Sequence, residues 1–547
     1  MPSNAQWSGT ASIKGSTESV RMALLTLSLV GLQFTWGTEM TYCTPYLLAL
    51  GLTKSKLSLV WIAGPLSGLI MQPVVGILAD RSKSRWGRRR PIMLGGTLVV
   101  SACLIVLGWT GEIVAMFVQE KELKREATIA LAVGSIYVLD FAINAVQSSC
   151  RSLIVDTLPI PKQQLGSAWA SRMVAIGQLV VYGAGAVDLK AIFGELLGDT
   201  QFKQLTVIAA VALLLAMGTT SWAVEERVLL SDGKELEGTT GAFSMVGQIF
   251  TTATHLPSRI RAICWIQFWA WIGWFPFLFY SSTWVGEIYI RFDAPQEVRD
   301  HPDTLGNIGR VGSQALIAFS VMTFIGSFVL PWIVQSPEDD EKPAFTPRPP
   351  ASIAPFVTQV ANNKPSLLTA WTVSHLVFTA SMVFAPFVAS LRSATLLVAF
   401  CGIFTFMGIE INNLGTSLPT RTSPSRKPTR SPNRRLSDDV ELDTTTELVH
   451  LRRPSSESAP SSPGELAGIY LGILNLFTTL PQFIASGIST VVFSVLEPGK
   501  SPELAKDAHP DEHHSTDGVN GISVCLFVGA LSSVVAAWAT RRLKFVV

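Results

Sequence analysis

The stretch "GILADRSKSRWGRRRP", Gly76–Pro91, places six basic residues and one acid between two long apolar runs. On a soluble protein such a cluster marks a phosphate-binding patch; on a membrane protein it marks a short loop that pins topology. Composition decides between the two. The chain has 547 residues, 48% hydrophobic and only 15% charged, with a mean hydropathy of +0.37, which describes a polytopic membrane protein and not a soluble domain. The net charge of +2 provides no bulk attraction for nucleic acid, and nucleic-acid binding is excluded. The six cysteines, Cys43, Cys103, Cys150, Cys264, Cys401 and Cys525, lie singly in apolar stretches and form neither a disulfide framework nor a metal-ligand spacing. The first twenty residues lack the apolar core of a cleaved secretory signal, so insertion is expected to begin with the first spanning helix.

A spanning helix needs about 20 mostly apolar residues. Twelve segments qualify, in two groups of six. The first group is Met22–Leu50, Leu57–Ala79, Pro91–Trp109, Thr128–Arg151, Leu165–Val187 and Leu205–Val224. The second is Ile260–Tyr280, Val311–Val334, Leu367–Ala389, Ala394–Leu414, Leu466–Val495 and Ile522–Thr540. The expected organisation is therefore an N-terminal tail over 1–21, a six-helix bundle over 22–224, a linker over 225–259, a second bundle over 260–540 and a tail over 541–547. Basic residues are retained in the cytoplasm during insertion, so the opening loop, with Arg541, Arg542 and Lys544, places both termini there. A Ser-, Pro- and Arg-rich insertion over 419–464, between helices ten and eleven, has almost nothing apolar to bury and is expected to be a disordered cytoplasmic loop.

Charges in the bilayer cost ~2.5–3.5 kcal/mol each, so those the spans tolerate are functional candidates. Asp140, Asn144, Gln147 and Arg151 recur at i, i+4, i+7 and i+11 and form one polar stripe on helix four, which must face a cavity. Asp140 lies near mid-membrane, where a carboxyl group can take and release a proton and accept hydrogen bonds from ligand hydroxyls. Arg172 in helix five is the expected counter-charge, pairing with Asp140 in one state and with substrate in another. Glu39 shares a face with Thr35, Tyr42 and Tyr46 and looks into the same cavity, either to bind substrate or to brace Arg172. Arg151 and Asp156 are expected to form a gating pair. Asp188 is expected to be solvated. Trp271 and Trp274 are candidates for stacking on the apolar face of a substrate. His375 reads as a core histidine, and the run from His509 to His514 as a solvated tract. No nucleophile–base constellation or metal-ligand set occurs in the spans, so the chain is not expected to be an enzyme.

Two six-helix bundles joined by a polar linker form the architecture of the major facilitator superfamily: all-α, with 12 transmembrane helices. Within it, "GPLSGLIMQPVVGILADRSKSRWGRRRP", "GLQFTWGTEMTYCTPYLLALGL", "YVLDFAINAVQSSCRSLIVD", "FWAWIGWFPFLFYSSTWVGE" and "GIYLGILNLFTTLPQFI" resemble, in order, motifs of sucrose transporters of the glycoside-pentoside-hexuronide:cation symporter group. The long insertion resembles the fungal sucrose/alpha-glucoside members. Helix ten departs from that pattern, lacking the expected Trp and Pro-aromatic segment. The resemblance implies proton-coupled symport of sucrose, maltose or another α-glucoside by alternating access, with Asp140 as coupling acid and no cofactor beyond the co-transported proton. It also implies Asp80 pairing with Arg88 or Arg89 as a latch at the cytoplasmic side, helped by Gly76 and Gly87. We expect a monomer in the plasma membrane, with the vacuolar membrane as the alternative. A non-transporting sugar sensor and a facilitative uniporter are the competing functions.

Overall fold

The computed structural model describes residues 6–80, 82–231, 256, 258–299, 303–333, 365–414, 463–505, 509–515 and 518–543. The insertion expected at 419–464 lies outside the described residues except at its last two positions, as does most of the 225–259 linker. The chain begins with two short strands, β1 (Gln6–Ser8) and β2 (Ser12–Ile13). Helix α1 (Glu18–Thr38) starts on a Thr17 cap, passes through a π-helical turn over Glu39–Cys43 and continues as α2 (Thr44–Ala49), with Pro45 in its first turn. There follow α3 (Lys54–Val60), α4 (Ala63–Asp80), α5 (Arg90–Gly108), α6 (Thr110–Ala115), α7 (Lys121–Thr157), α8 (Ile160–Ala186), α9 (Leu189–Phe193) and α10 (Gln201–Ala223). Strands β3 (Val224–Glu225) and β4 (Val228–Ser231) open the linker. The second half comprises α11 (Ser258–Ile288), α12 (Thr304–Ile333), α13 (Leu367–Met382), α14 (Leu391–Leu414), α15 (Pro463–Leu496) and α16 (Gly521–Leu543).

Ten of these rods are long and apolar enough to cross a membrane, among the described residues. The more polar α8, with Gln163, Arg172 and Gln178, and α14, apolar over Leu391–Gly402, complete the expected twelve. The all-α expectation needs one addition. Strand β1 pairs with β4 and β2 with β3, both antiparallel, so the N-terminal tail is tied to the linker.

In the first half α1 packs on α8 and α10, and α5 lies between α7 and α10. In the second, α11 packs on α12, α15 and α16. The halves meet along two seams, α8 against α12 and α3–α4 against α15. At the first, a Cβ on Gly309 would stand 2.2 Å from Cε1 of Tyr42, so only glycine permits this approach.

We call the end carrying the 81–90 loop the basic end. Polar bonds between the halves gather toward the other end. Ser58 bonds Thr490 at 2.8 Å, Ser55 donates to the Thr490 carbonyl at 3.3 Å, and Ser486 donates to the Ser58 carbonyl. At their centre is an ion cluster that sequence reading did not single out. Lys54 of the first half, 1% exposed, reaches Glu287 at 2.7 Å and Glu497 at 2.9 Å, both in the second half. Arg291 bonds Glu503 at 2.7 Å and Glu497 at 3.4 Å, and Asn520 donates to Glu287 at 2.6 Å. His514, expected to be solvated, is buried among these loops. Asp188 is exposed, as expected, while it caps α9 and lies 3.6 Å from Arg310 of the other half.

Burial opposes ionisation of Glu503, but Arg291 and then Lys54 outweigh it and hold its carboxyl down at about 2. The same contest, settled mainly by Lys54, lowers Glu497. A carboxylate held below its ordinary range gives its full stabilising contribution above that ordinary range and loses it progressively as pH falls from there through its own lowered value. The seam is therefore expected to stay closed at pH 5. Removing one partner of a buried pair costs roughly 3–5 kcal/mol. Lys54→Met should open this end, read as faster maleimide labelling of Thr490→Cys in detergent-solubilised protein; labelling equal to the parent would show that other contacts hold the seam.

Candidate functional site

The site is built on α7, whose polar stripe opens progressively toward the basic end. Asp140 is fully buried, Asn144 is 8% exposed, Gln147 is half-buried and Arg151 is exposed. Arg151 lies roughly 140° around the helix from exposed Val138 at 100° per residue. It is reached by solvent yet embedded among protein atoms, as expected for a residue lining a crevice. It has no ion pair or hydrogen bond among the described residues.

Asn144 is fixed by its surroundings. Its Nδ2 donates to Ser67 Oγ at 2.8 Å and to the Asp140 carbonyl at 3.0 Å, while the Ser67 hydroxyl donates to the Gly64 carbonyl at 2.8 Å. Ser67 Oγ, having spent its proton, must accept from Asn144. Oδ1 of Asn144 is thus the end left to accept from a ligand hydroxyl.

Glu39, 1% exposed, sits at the start of the π turn, and its carboxyl group and that of Asp140 lie within hydrogen-bonding reach of one another. None of the four oxygens has a hydrogen-bond donor among the described residues. The Asp140 carboxyl therefore faces Glu39 here and not Arg172. Arg172 is exposed, with its guanidinium 5.8 Å above the ring of Trp169.

At the basic end the expected Arg151–Asp156 pair is not formed. Asp156 instead takes Arg88 at 3.2 Å and Arg89 at 2.9 Å, two residues that reach it from the 81–90 loop. Beside them Glu226 accepts from the backbone N–H groups of Arg88, Arg89 and Arg90, each at 2.9 Å, capping the start of α5. Gly87, at φ +99°, makes that turn possible, and a Cβ there would meet Glu226 at 2.7 Å. Arg90 closes the far side by donating to the carbonyls of Ser221 and Val224 at 2.7 and 2.8 Å. Asp156, Thr157, Glu226, Arg88 and Arg227 line a polar hollow of about 150 Å³. These partners belong to the first half and the start of the linker. The side chain of Asp80 lies outside the described residues, as does that of Glu410.

Of the aromatic candidates, Trp274 belongs to the packing of the second half, its ring 4.7 Å from Phe378 and 5.3 Å from Phe277. Trp271 is half-buried. His375 is buried, 5.5 Å from Trp371, as a core histidine would be.

A family model described as MFS/sugar transport protein matches residues 26–287. A general alpha-glucoside permease of Schizosaccharomyces pombe is 32% identical over 96% of this chain and 94% of its own length. A sucrose transport protein of Arabidopsis thaliana is 30% identical over 50% of this chain and 56% of its own. Two solved structures share the fold. A bacterial homologue of the human drug peptide transporters superposes with a TM-score of 0.55 at 10% identity, over 96% of this chain and 98% of that one. The D-xylose-proton symporter does so at 0.50 and 11%, over 95% and 97%. The twelve rods in two halves and a full-length relative at this identity lead to one conclusion: the chain is an integral membrane protein of the MFS/sugar transport protein family, a family of transporters and not of enzymes.

Proposed function

We propose that this protein is a proton-coupled symporter that imports sucrose, maltose or a related α-glucoside by alternating access. The observation that carries this reading is the graded stripe on α7, buried at Asp140 and open at Arg151. Applying the positive-inside rule, the basic end faces the cytoplasm. The conformation described is then inward-facing: sealed outside by Lys54 and its partners, with the crevice open to the cell.

In this cycle each group has a task fixed by its chemistry. Asn144 Oδ1 and the Arg151 guanidinium, an acceptor and a donor on one helix face, bind sugar hydroxyls. Asp140 takes the proton from the outer medium and releases it into the crevice. Gln147 lies between the two. Arg172 binds sugar or approaches Asp140 in another state of the cycle. Glu226, Asp156 and the Arg88–Arg90 run hold the inner end of the first half as one rigid unit. Substrate class rests on what the relatives transport by name, an α-glucoside and sucrose.

A neutral sugar is concentrated only if an ion moves downhill with it, and one proton supplies about 2.3 kcal/mol per 100 mV. Adding sucrose or maltose to lightly buffered cells expressing this protein should therefore alkalinise the medium transiently. Uptake should rise toward external pH 5 and collapse with a protonophore. Uptake indifferent to both would mark a uniporter, and no uptake at all a sensor. Asp140→Asn keeps shape and hydrogen bonding but removes the titratable proton. Accumulation should vanish while exchange of internal for external sugar survives; wild-type accumulation would remove Asp140 from the coupling.

A further inference from the structure

Of the donors flanking the two buried carboxyl groups, Thr35 Oγ1, one turn before Glu39, bonds neither of them, and the others are committed elsewhere. Thr38 Oγ1 donates to the Phe34 carbonyl at 2.7 Å and Thr41 Oγ1 to the Gly37 carbonyl at 2.6 Å. Tyr42 donates to the Gly185 carbonyl at 2.6 Å, and both Nδ2 protons of Asn144 are used. Among the described residues no arginine, lysine or histidine acts on either Glu39 or Asp140. The other titratable groups that feel the pair are Cys43, one turn along from Glu39, and Tyr137, at the turn before Asp140. Neither supplies a positive charge.

Two carboxylates facing one another in a dry interior repel, and neither can donate to the other. One added proton changes both facts at once: it halves the charge and creates an O–H···O hydrogen bond between the two groups. The π turn that begins at Glu39 is a local widening of α1 that presents this side chain to α7.

We propose that Glu39 and Asp140 form a single proton-holding unit, in which one proton is shared between the two carboxyl groups and its loss drives them apart. This assigns to Glu39 a part in coupling and not in sugar binding or in bracing Arg172. It rests on the proton-symport reading above for its purpose, but not for its chemistry. The proton arrives from the outer medium, bridges an oxygen of Glu39 and one of Asp140, and leaves into the inward crevice. The two groups titrate as a pair, so apparent values belong to both.

The test is Glu39→Gln in full-length protein, with two readouts. The glutamine amide donates to Asp140 and stabilises its ionised form, so half-maximal uptake should move toward acid by about one pH unit or more, with surface abundance unchanged. In purified, sugar-free protein, the carboxylic C=O band that titrates in infrared difference spectra should shift or vanish in Glu39→Gln and in Asp140→Asn alike. Glu39→Asp, which keeps the carboxyl, should restore part of the wild-type pH midpoint. A merely structural Glu39 would alter amount or rate but leave the midpoint and the band in place. Wild-type midpoint and band in Glu39→Gln would overturn the proposal and leave Asp140 alone with the proton. If the wild type moved no protons with sugar, the symport reading would fail, while the infrared titration would still decide whether the pair shares a proton.

Discussion

Lys54 holds the two halves in the conformation described. An ammonium group at 1% exposure, between two carboxylates of the other half, pays its desolvation only while those partners remain in place. The hydroxyl contacts of Ser55 and Ser58 with Thr490 depend on the same closure, as does the fit of Tyr42 over Gly309. Interfaces of this kind are bistable and not continuously deformable. Separating Lys54 from Glu287 and Glu497 requires water to enter as they part, so an intermediate with half the contacts is disfavoured.

The outer cluster and the central pair solve opposite problems. In the cluster, cations hold Glu497 and Glu503 below their ordinary range, so their charge state is fixed across the pH range a cell meets. In the centre, Glu39 and Asp140 have no such cation, and their oxygens have no donor among the described residues. A fixed charge can hold a conformation but cannot report a proton. A pair that lacks a donor can, because protonation creates a bond that was absent. On the proposed reading, the part that keeps the halves together is separate from the part that responds to a proton.

Much of this was legible in the sequence where periodicity or length carries the signal. The α7 stripe follows from the 3.6-residue repeat, and its burial gradient from Asp140 to Arg151 agrees with a cavity-facing row. The basic loop and the spans followed from composition. What escaped reading depends on contacts between distant residues. Lys54 meets partners 233 and 443 positions away, which no local pattern encodes. The expected seventh span stopped at Tyr280, whereas α11 runs to Ile288, so Glu287 was left in a loop and never weighed as a membrane charge. Asp156 was matched with the nearest arginine on its own helix, but Arg88 and Arg89 approach from a loop 68 and 67 residues earlier. Glu226 could have been suspected only as a carboxylate available to a helix start rich in backbone donors.

The energetic scale of the cycle follows from this division. To move a two-state equilibrium from 1:99 to 99:1 takes about 5.5 kcal/mol of differential binding, of the same order as the roughly 3–5 kcal/mol lost when a buried ion pair is broken from one side. A ligand held at millimolar affinity supplies about 4.1 kcal/mol in total, and only the part that differs between conformations counts toward the shift. One ligand of that affinity therefore falls short of switching such a seam completely. A second ligand is needed whose binding also differs between states. In the cycle proposed above that second ligand is the proton held between Glu39 and Asp140, side chains that come from α1 and α7 of the same half. With the switch within one half and the restraint between the halves, coupling requires that the two conformations differ in their affinity for the proton as well as for the sugar.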